Sequence, residues 1–324
     1  MTRTNPSTPE ISVIIPAYNT AKLIRPCLDS VFAQSYSNFE TIVVNDGSHD
    51  TPELEKTVTP YLGRIVYIKQ ENKRAAGARN TAIRNAKGTF LAFLDSDDAW
   101  LPEHLASQMK LFQRDPTLDL VYADTLVVGD PSRLWNFMDR CPSRGEATFC
   151  ALIVERCQIP ISTVVVRRDA LVRAGFFDES LPCFDDYDMW LRTAFCGGKI
   201  GYTRIVQARS SGRRPGSLSE SIHKIVAAYW LILEKTLQTL PLSRDERDVV
   251  TNRLAESKAT FQMEEAKRQL CVGQFEKARG LFREANRYFR RPDVNLAVFA
   301  LGIAPAATRK VFQAWARMRH ADAR

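Results

Sequence analysis

The sequence predicts an α/β domain built on a mainly parallel sheet with helices on both faces, followed by a smaller all-α region. Two observations carry this reading. Over the first hundred residues, short β-branched runs alternate with segments of helical periodicity, and the runs end in polar or turn-forming clusters. Strands that alternate with helices are joined by right-handed crossovers, which makes their pairing parallel. From about residue 220, strand-like runs become rare and apolar residues recur at three- and four-residue intervals.

Residues 11–15 form a largely apolar run that stops at Pro16, as a buried parallel strand does. Ile24, Cys27, Leu28, Val31 and Phe32 then recur at helical spacing. Residues 41–44 and 65–68 are the second and third strands, the second closed by Asn45-Asp-Gly-Ser48. Residues 77–86 read as a helix and 89–94 as a fourth strand. The stretch 119–219 is more irregular. Within it, 161–166 reads as a strand and 168–174 as a helix closed by Gly175. Residues 186–196 read as an amphipathic helix stopped by Gly197-Gly198. A Gly, Pro, Ser and Arg-rich loop spans 210–219. Beyond it, Ala266 and Leu270 mark one helix, and Phe275, Ala278, Leu281, Phe282 and Ala285 the next. This pair resembles a single tetratricopeptide-type hairpin, which cannot bury its own face and is expected to pack on the main domain or a partner. The boundary is placed at 219, giving regions 1–219 and 220–324.

A chain of 324 residues with 45% hydrophobic and 25% charged residues is an ordinary globular protein, not a disordered, collagenous or coiled-coil one. A formal charge of +8 suits anionic partners such as nucleotide phosphates or acidic lipid, and equally serves solubility alone. No nucleic-acid-binding motif accompanies it. The seven cysteines lack a Cys-x-x-Cys pair, and the four histidines give no zinc spacing, so the thiols read as reduced and cytosolic. The start, 1–10, lacks the apolar core of a signal peptide, and no run of about 18 apolar residues could span a bilayer. The expected location is cytoplasmic. The tail 296–324 combines Phe299, Val311, Phe312 and Trp315 with five Arg or Lys residues. It reads either as a helix packed on its own domain or as a basic amphipathic helix in peripheral contact with the inner membrane face.

In open α/β sheets the ligand sits beyond the carboxyl ends of the strands. Three polar clusters lie there: 16–19, 45–48 and Asp95-Ser-Asp-Asp98. Carboxylates crowded in one turn repel each other unless a cation sits among them. A hard ion such as Mn²⁺ or Mg²⁺ takes one or two carboxylates and completes its shell with phosphate oxygens and water. Taken alone, an Asp-x-Asp is also a solvated turn or helix cap; its place after a buried strand favours the metal.

These segments resemble the family 2 glycosyltransferases, which have the GT-A fold, a Rossmann-like architecture. The resemblance rests on 12–19 (SVIIPAYN), 44–51 (VNDGSHDT), 78–80 (ARN), 87–98 (KGTFLAFLDSDD), 175–179 (GFFDE) and 184–192 (FDDYDMWLR), in order and spacing, across about 10–219. It implies that Pro16 and Tyr18 border the nucleotide base, with Asp46 accepting a hydrogen bond from base or ribose. Arg74 and Arg79 would line the base and diphosphate. Asp97 would be the metal ligand, with Asp95 on ribose or a metal-bound water and Ser96 beside it on the donor. The family's general base is the Asp of a Glu-Asp pair at a helix start. Here the pair is Asp185-Asp186, so Asp186 is the expected base, and the first position departs from Glu. The same acids also suit a helix N-terminus. In the loop after 210, Arg213 or Arg214 could clamp phosphate where some members carry His.

The reaction implied is inverting transfer of a sugar from a nucleotide-diphosphate sugar, a UDP-sugar favoured, to a hydroxyl of a glycan or lipid-linked acceptor in cell-surface polysaccharide or glycolipid synthesis. One base and one metal suffice for it, where a hydrolase wants two carboxylates flanking the bond. The rivals are a sugar nucleotidyltransferase, against which stands the absence of glycine in the 16–19 loop, and a non-catalytic nucleotide-sugar-binding scaffold.

Overall fold

The computed structural model describes residues 8–129, 134–212 and 222–321. The chain divides into two compact units, Met1–Ala228 and Tyr229–Arg324.

The first unit contains β1 (Ile11–Ala17), α1 (Ile24–Phe32), β2 (Phe39–Asp46), α2 (Thr51–Val58), β3 (Ile65–Gln70), α3 (Arg74–Asn85) and β4 (Phe90–Phe93). Then come β5 (Ala99–Trp100), α4 (His104–Arg114), β6 (Leu120–Val127), β7 (Trp135–Asn136), α5 (Phe137–Arg140) and α6 (Phe149–Ile153). The elements β8 (Val165–Arg167), α7 (Arg168–Ala174), α8 (Asp185–Phe195) and β9 (Ile200–Ser210) follow. Among the described residues the strands form one sheet in the order β3-β2-β1-β4-β8-β6-β9-β5, with β7 on β6. The first four pair in parallel, with Ala17 opposite Asn45 and Asp46 opposite Gln70. The carboxyl ends of β1, β2 and β3 therefore share one edge. β8 enters antiparallel between β4 and β6, and β9 runs parallel to β6.

Alternation along the strands builds two apolar layers. Val13, Ile15, Val43, Ala92 and Leu94 pack with Leu28 of α1, Leu54 of α2 and Met109 and Phe112 of α4. On the opposite face, Ile14, Ile42 and Phe93 are buried, and α3 packs over β1 and β2. Phe93 meets Phe177 at 5.4 Å and Trp190 at 6.0 Å between ring centroids. Gly88 lies where β4 begins beneath β1: a Cβ there would sit 2.6 Å from the Ser12 nitrogen. Its N–H donates to Ser12 Oγ at 2.8 Å, so no larger residue fits without parting the strands.

One expected strand is shorter than its pattern. Residues 161–163 form a 3₁₀ turn, and β-structure begins only at Val165. The Thr163 hydroxyl donates to the Pro160 carbonyl at 2.8 Å, and the Thr163 N–H to the same oxygen at 3.0 Å. These local bonds close a turn that β-branched composition alone reads as extended.

α9 (Ile222–Thr239) crosses the division between the units. The second unit continues with α10 (Arg244–Cys271), α11 (Phe275–Phe289), α12 (Pro292–Ile303) and α13 (Pro305–Ala321). Ser243 and Glu246 form a reciprocal capping box at the start of α10. Gly273, at φ +83°, turns the chain between α10 and α11. Ala266, Leu270, Ala278, Phe282 and Ala285 form its core with Val294 and Leu301. Among the described residues no helix is long and apolar enough to cross a membrane.

Candidate active site

The strand-end loops are tied to one another by hydrogen bonds. After β1 the chain bends at Asn19, which has φ +53°. Its N–H donates to Ser48 Oγ at 3.2 Å and its side-chain oxygen accepts from the His49 N–H at 2.8 Å. The Ala21 N–H donates to Asp50 at 2.9 Å. Loops 16–19 and 45–50 thus form one rigid edge. Pro16 is half-buried there. Tyr18 is 44% exposed and meets the His49 ring edge-on at 6.1 Å, leaving an aromatic face toward solvent.

Asp46 is buried at the end of β2. Its Oδ1 accepts from Gln70 Nε2 at 2.6 Å and from the Lys73 N–H at 2.8 Å, while its carbonyl accepts from Asn72 at 3.0 Å. Gly47 has φ +67°, and a Cβ there would lie 2.8 Å from the Asn72 nitrogen. The close approach of 72–74 to Asp46 therefore requires glycine. Arg74 opens α3 with φ +62° and an exposed side chain.

Five residues further along α3, Arg79 points inward. Its guanidinium is expected to touch the donor; instead it is 5% exposed and shared by two carboxylates. Nη2 pairs with Asp95 and Nη1 with Asp185, each at 2.7 Å. Burial works against its charge, but Asp185, Asp95 and Asp186 outweigh burial and hold its pKa above the usual arginine value. The ring of Phe177 lies 5.6 Å beneath it. Asn80 fixes the same turn: its amide donates to the Phe177 carbonyl at 2.9 Å and to Glu179 at 2.8 Å, and accepts from the Phe177 N–H at 3.0 Å. The GFFDE segment is thus pinned to α3, with α8 just beyond.

The acidic turn after β4 is closed by the Asp98 N–H donating to the Asp95 carbonyl at 2.9 Å. Its three carboxylates have different surroundings. Asp95 is half-buried and paired with Arg79. Asp97 is half-buried and accepts from Ser211 Oγ at 2.7 Å. Asp98 is buried, accepting from Ser162 Oγ at 2.6 Å and from the Ser211 N–H at 2.9 Å. Burial, then the charges of Asp95 and Asp97, push its carboxyl up to about 7. Ser96 is buried and donates to Thr20 at 3.0 Å, tying this turn to the end of β1. Ser162 Oγ also accepts from the Asp95 N–H at 3.2 Å, and its carbonyl accepts from Trp100 Nε1 at 2.6 Å.

Phe184, in the left-handed region at φ +60°, turns the chain into α8. Asp185, Asp186 and Asp188 all lie in its first turn, where the helix dipole favours acid. They divide the work. Asp185 pairs with Arg79, Asp188 with Arg192 at 2.7 Å, and Asp186 is half-buried with Oδ1 accepting from the Tyr187 N–H at 2.9 Å. Burial and the neighbouring Asp185 push the Asp186 carboxyl up to about 7, against the pull of Arg79.

The structure therefore brings Asp95 and Asp185 onto one guanidinium, with Asp97 and Asp186 beside them. Tyr18, Ser96 and Asp46 lie on loops hydrogen-bonded to the same edge. Arg213 and Arg214 lie outside the described residues. Two participants were not singled out by sequence: Ser162, in the turn before β8, and Ser211, just past the end of β9, which together hold the buried Asp98; Asp98 and Asp185 stood within the motifs, but not as a buried carboxyl and as the partner of Arg79. The signal for Asp185 is its place as the first member of the acidic pair that the resemblance identifies; for Ser162 and Ser211 there is none. Among the described residues no three His, Cys, Asp or Glu side chains converge as a ready-made metal site. A half-buried edge of carboxylate and hydroxyl oxygen at Asp97 and Ser211 fits a hard cation that draws most of its shell from phosphate and water.

Residues 12–168 match the model of glycosyl transferase family 2. An uncharacterized glycosyltransferase of Rickettsia typhi is 32% identical over 191 residues, 58% of this chain and 59% of that protein. The chain spans about three tenths to three fifths of the length of the first Rickettsia relatives it matches. The Escherichia coli protein WfgD, a UDP-Glc:α-D-GlcNAc-diphosphoundecaprenol β-1,3-glucosyltransferase, is 33% identical over 182 residues, 56% of this chain and 68% of WfgD. Among solved structures, the mannosyltransferase PcManGT of Pyrobaculum calidifontis, in complex with GDP-Man and Mn²⁺, aligns with TM-score 0.62 and 20% identity over 98% of this chain and 86% of its own.

Proposed function

The chain belongs to glycosyltransferase family 2 and has the GT-A fold, and from this premise we propose that it transfers a sugar, with inversion, from a nucleotide-diphosphate sugar to an acceptor hydroxyl. The observation that carries the reading is the double ion pair of Arg79, which joins the acidic turn after β4 to the first turn of α8 through Asp95, 16 residues from Arg79, and Asp185, 106 residues from it. A diphosphate-binding edge and a proton acceptor are thereby held on one rigid cation. The catalytic region is assigned to 1–219 and the helical region to 220–324.

In this reading Tyr18 offers a stacking face to the base and Pro16 shapes its edge. Asp46 accepts from the base or ribose. Asp95 and Ser96 border the ribose and diphosphate, and Arg74 and Arg214 are assigned to binding phosphate. Arg79 acts from beneath, by positioning the two acidic turns. Asp97 would hold Mn²⁺ or Mg²⁺, which supplies Lewis-acid stabilisation of charge on the departing diphosphate. The Mn²⁺ of PcManGT and the UDP-Glc of WfgD support a divalent ion and a UDP-sugar. Asp186 takes the proton of the acceptor hydroxyl; its raised pKa matches a base working near neutral pH. The acceptor class is a glycan or lipid-linked sugar, as in polysaccharide or glycolipid synthesis, which places the enzyme in the cytoplasm or on the inner membrane face.

The test is a panel of nucleotide-sugars with Mn²⁺, followed by release of the nucleoside diphosphate. Turnover with one donor is the expected result. Asp186→Asn should then lower kcat by about 10²–10⁴ while donor affinity stays within a few-fold. Binding of a donor with no turnover on any acceptor or water would favour the scaffold reading instead, and ordinary turnover by Asp186→Asn would remove that residue from the mechanism.

A further inference from the structure

The second unit carries an apolar stripe that its own core leaves uncovered. On α12, Val294 and Leu301 are buried, while Leu296, Phe299 and Ile303 on another face are 67%, 64% and 68% exposed. At i, i+3 and i+7 they form one ridge. Val311, early on α13, is 70% exposed as well. A scattered exposed leucine needs no explanation; a ridge of three large apolar side chains in a row does.

Positive charge is concentrated in the stretch of sequence that carries this ridge. Residues 287–321 contain seven Arg or Lys and one acid, Asp293, a formal net charge of +6 within a chain whose total is +8. That lone acid is matched by Arg291 at 2.5 Å, and Arg287 lies 3.5 Å from Glu284 of the preceding turn, a long, exposed pair that leaves its guanidinium at the surface. Most of the molecule's excess positive charge therefore lies in about a tenth of its length, the part that also exposes apolar side chains. A second copy docking ridge to ridge would bring two such fields together, which opposes self-association. A surface that offers apolar depth and a dense negative field matches both features at once.

We propose that α12 and the start of α13 form a docking face for an anionic lipid bilayer, with Leu296, Phe299 and Ile303 entering the headgroup region and the exposed cations of the same stretch, Arg287 and Lys310, meeting acidic headgroups. Shallow insertion of a few apolar side chains or attraction of a few cations to acidic headgroups alone gives only marginal, reversible binding, and the two together give firm binding. The face rests on the proposed lipid-linked acceptor only in making such a location useful.

Vesicle flotation of the full chain tests it without donor or acceptor, so its outcome leaves the transfer reaction untouched. Vesicles of phosphatidylcholine with about one third phosphatidylglycerol should carry the protein up; pure phosphatidylcholine vesicles should not, and high salt should release it. Leu296→Glu with Phe299→Glu, and separately Arg287→Glu with Lys310→Glu, should each cut binding more than about tenfold with an unchanged melting temperature. All four side chains are exposed, so these variants keep the fold. Binding indifferent to lipid charge, binding unaffected by either variant, no binding at all, or loss of a wild-type dimer in the first variant would each overturn the assignment.

Discussion

At the residue scale, the acids of this site differ by surroundings rather than by type. The sequence marks Asp97 by its place after a buried strand and Asp186 by its place at a helix start, and the resemblance supplies the roles proposed for them. Which neighbour is buried was not legible, since burial of Asp98 depends on Ser162 and Ser211, 64 and 113 residues away. The departure from Glu at position 185 also acquires a physical meaning: the shorter side chain meets Arg79 at 2.7 Å from the first turn of α8. A prediction on pH belongs here. A base must be unprotonated, and burial with Asp185 pushes Asp186 up to about 7. The free-enzyme kcat/KM should therefore rise as pH increases through about 7 and level off above it. A rate profile flat between pH 6 and 8 with chemistry rate-limiting would contradict this assignment. The same shift has a stability sign. Asp98 and Asp186 both hold protons in the folded state that the unfolded chain releases from about pH 4, so their contribution to stability falls as pH rises from about 4 to about 7.

At the scale of elements, the sequence announced strands and helices by period, and it missed where local hydrogen bonds override period, as at 161–163. It also could not show that α3 is the hub of the site. The helix reads as an ordinary packing element, with Ala76, Ala78 and Ala82 buried against the sheet. Arg79 sits among these apolar positions, an expensive place for a cation unless partners are supplied. The partners come from β4's exit and from α8. Removing the cation strands two carboxylates. Arg79→Met should lower unfolding free energy by about 3–5 kcal/mol, the usual cost of breaking a buried pair on one side. Arg79→Lys should recover only part of this, because one ammonium cannot present a planar fork to two carboxylates. Denaturant unfolding of both variants measures it; a loss under about 1 kcal/mol for the methionine variant would mean that the two acidic turns are held by other bonds.

At the scale of the whole molecule, the parallel strands place three loops on one edge, and the loops supply oxygen donors that are each partly committed within the protein. In the proposed reading, Asp97 anchors a divalent ion whose remaining shell comes from the diphosphate and water, so affinity for the ion is shared with the diphosphate. This sharing is measurable as linkage. A ligand that binds only the folded state stabilises it by about 2.7 kcal/mol at a hundred times its Kd. For a domain of this size, that is a rise in melting temperature of roughly 5–10 °C. Mn²⁺ alone, or UDP with a chelator, should each give a small fraction of the rise that Mn²⁺ and UDP give together. The pair should exceed the sum of the separate effects, because each completes the other's coordination. Reciprocity requires that Mn²⁺ tighten UDP by the same factor as UDP tightens Mn²⁺, which calorimetry can check independently. If Mn²⁺ alone produced the full rise, the ion would have a protein-built site of its own, and Asp97 would not be its principal anchor. Asp97→Asn sharpens the test. It keeps an acceptor for Ser211 and removes the charge, so the separate UDP effect should survive while the excess from Mn²⁺ disappears.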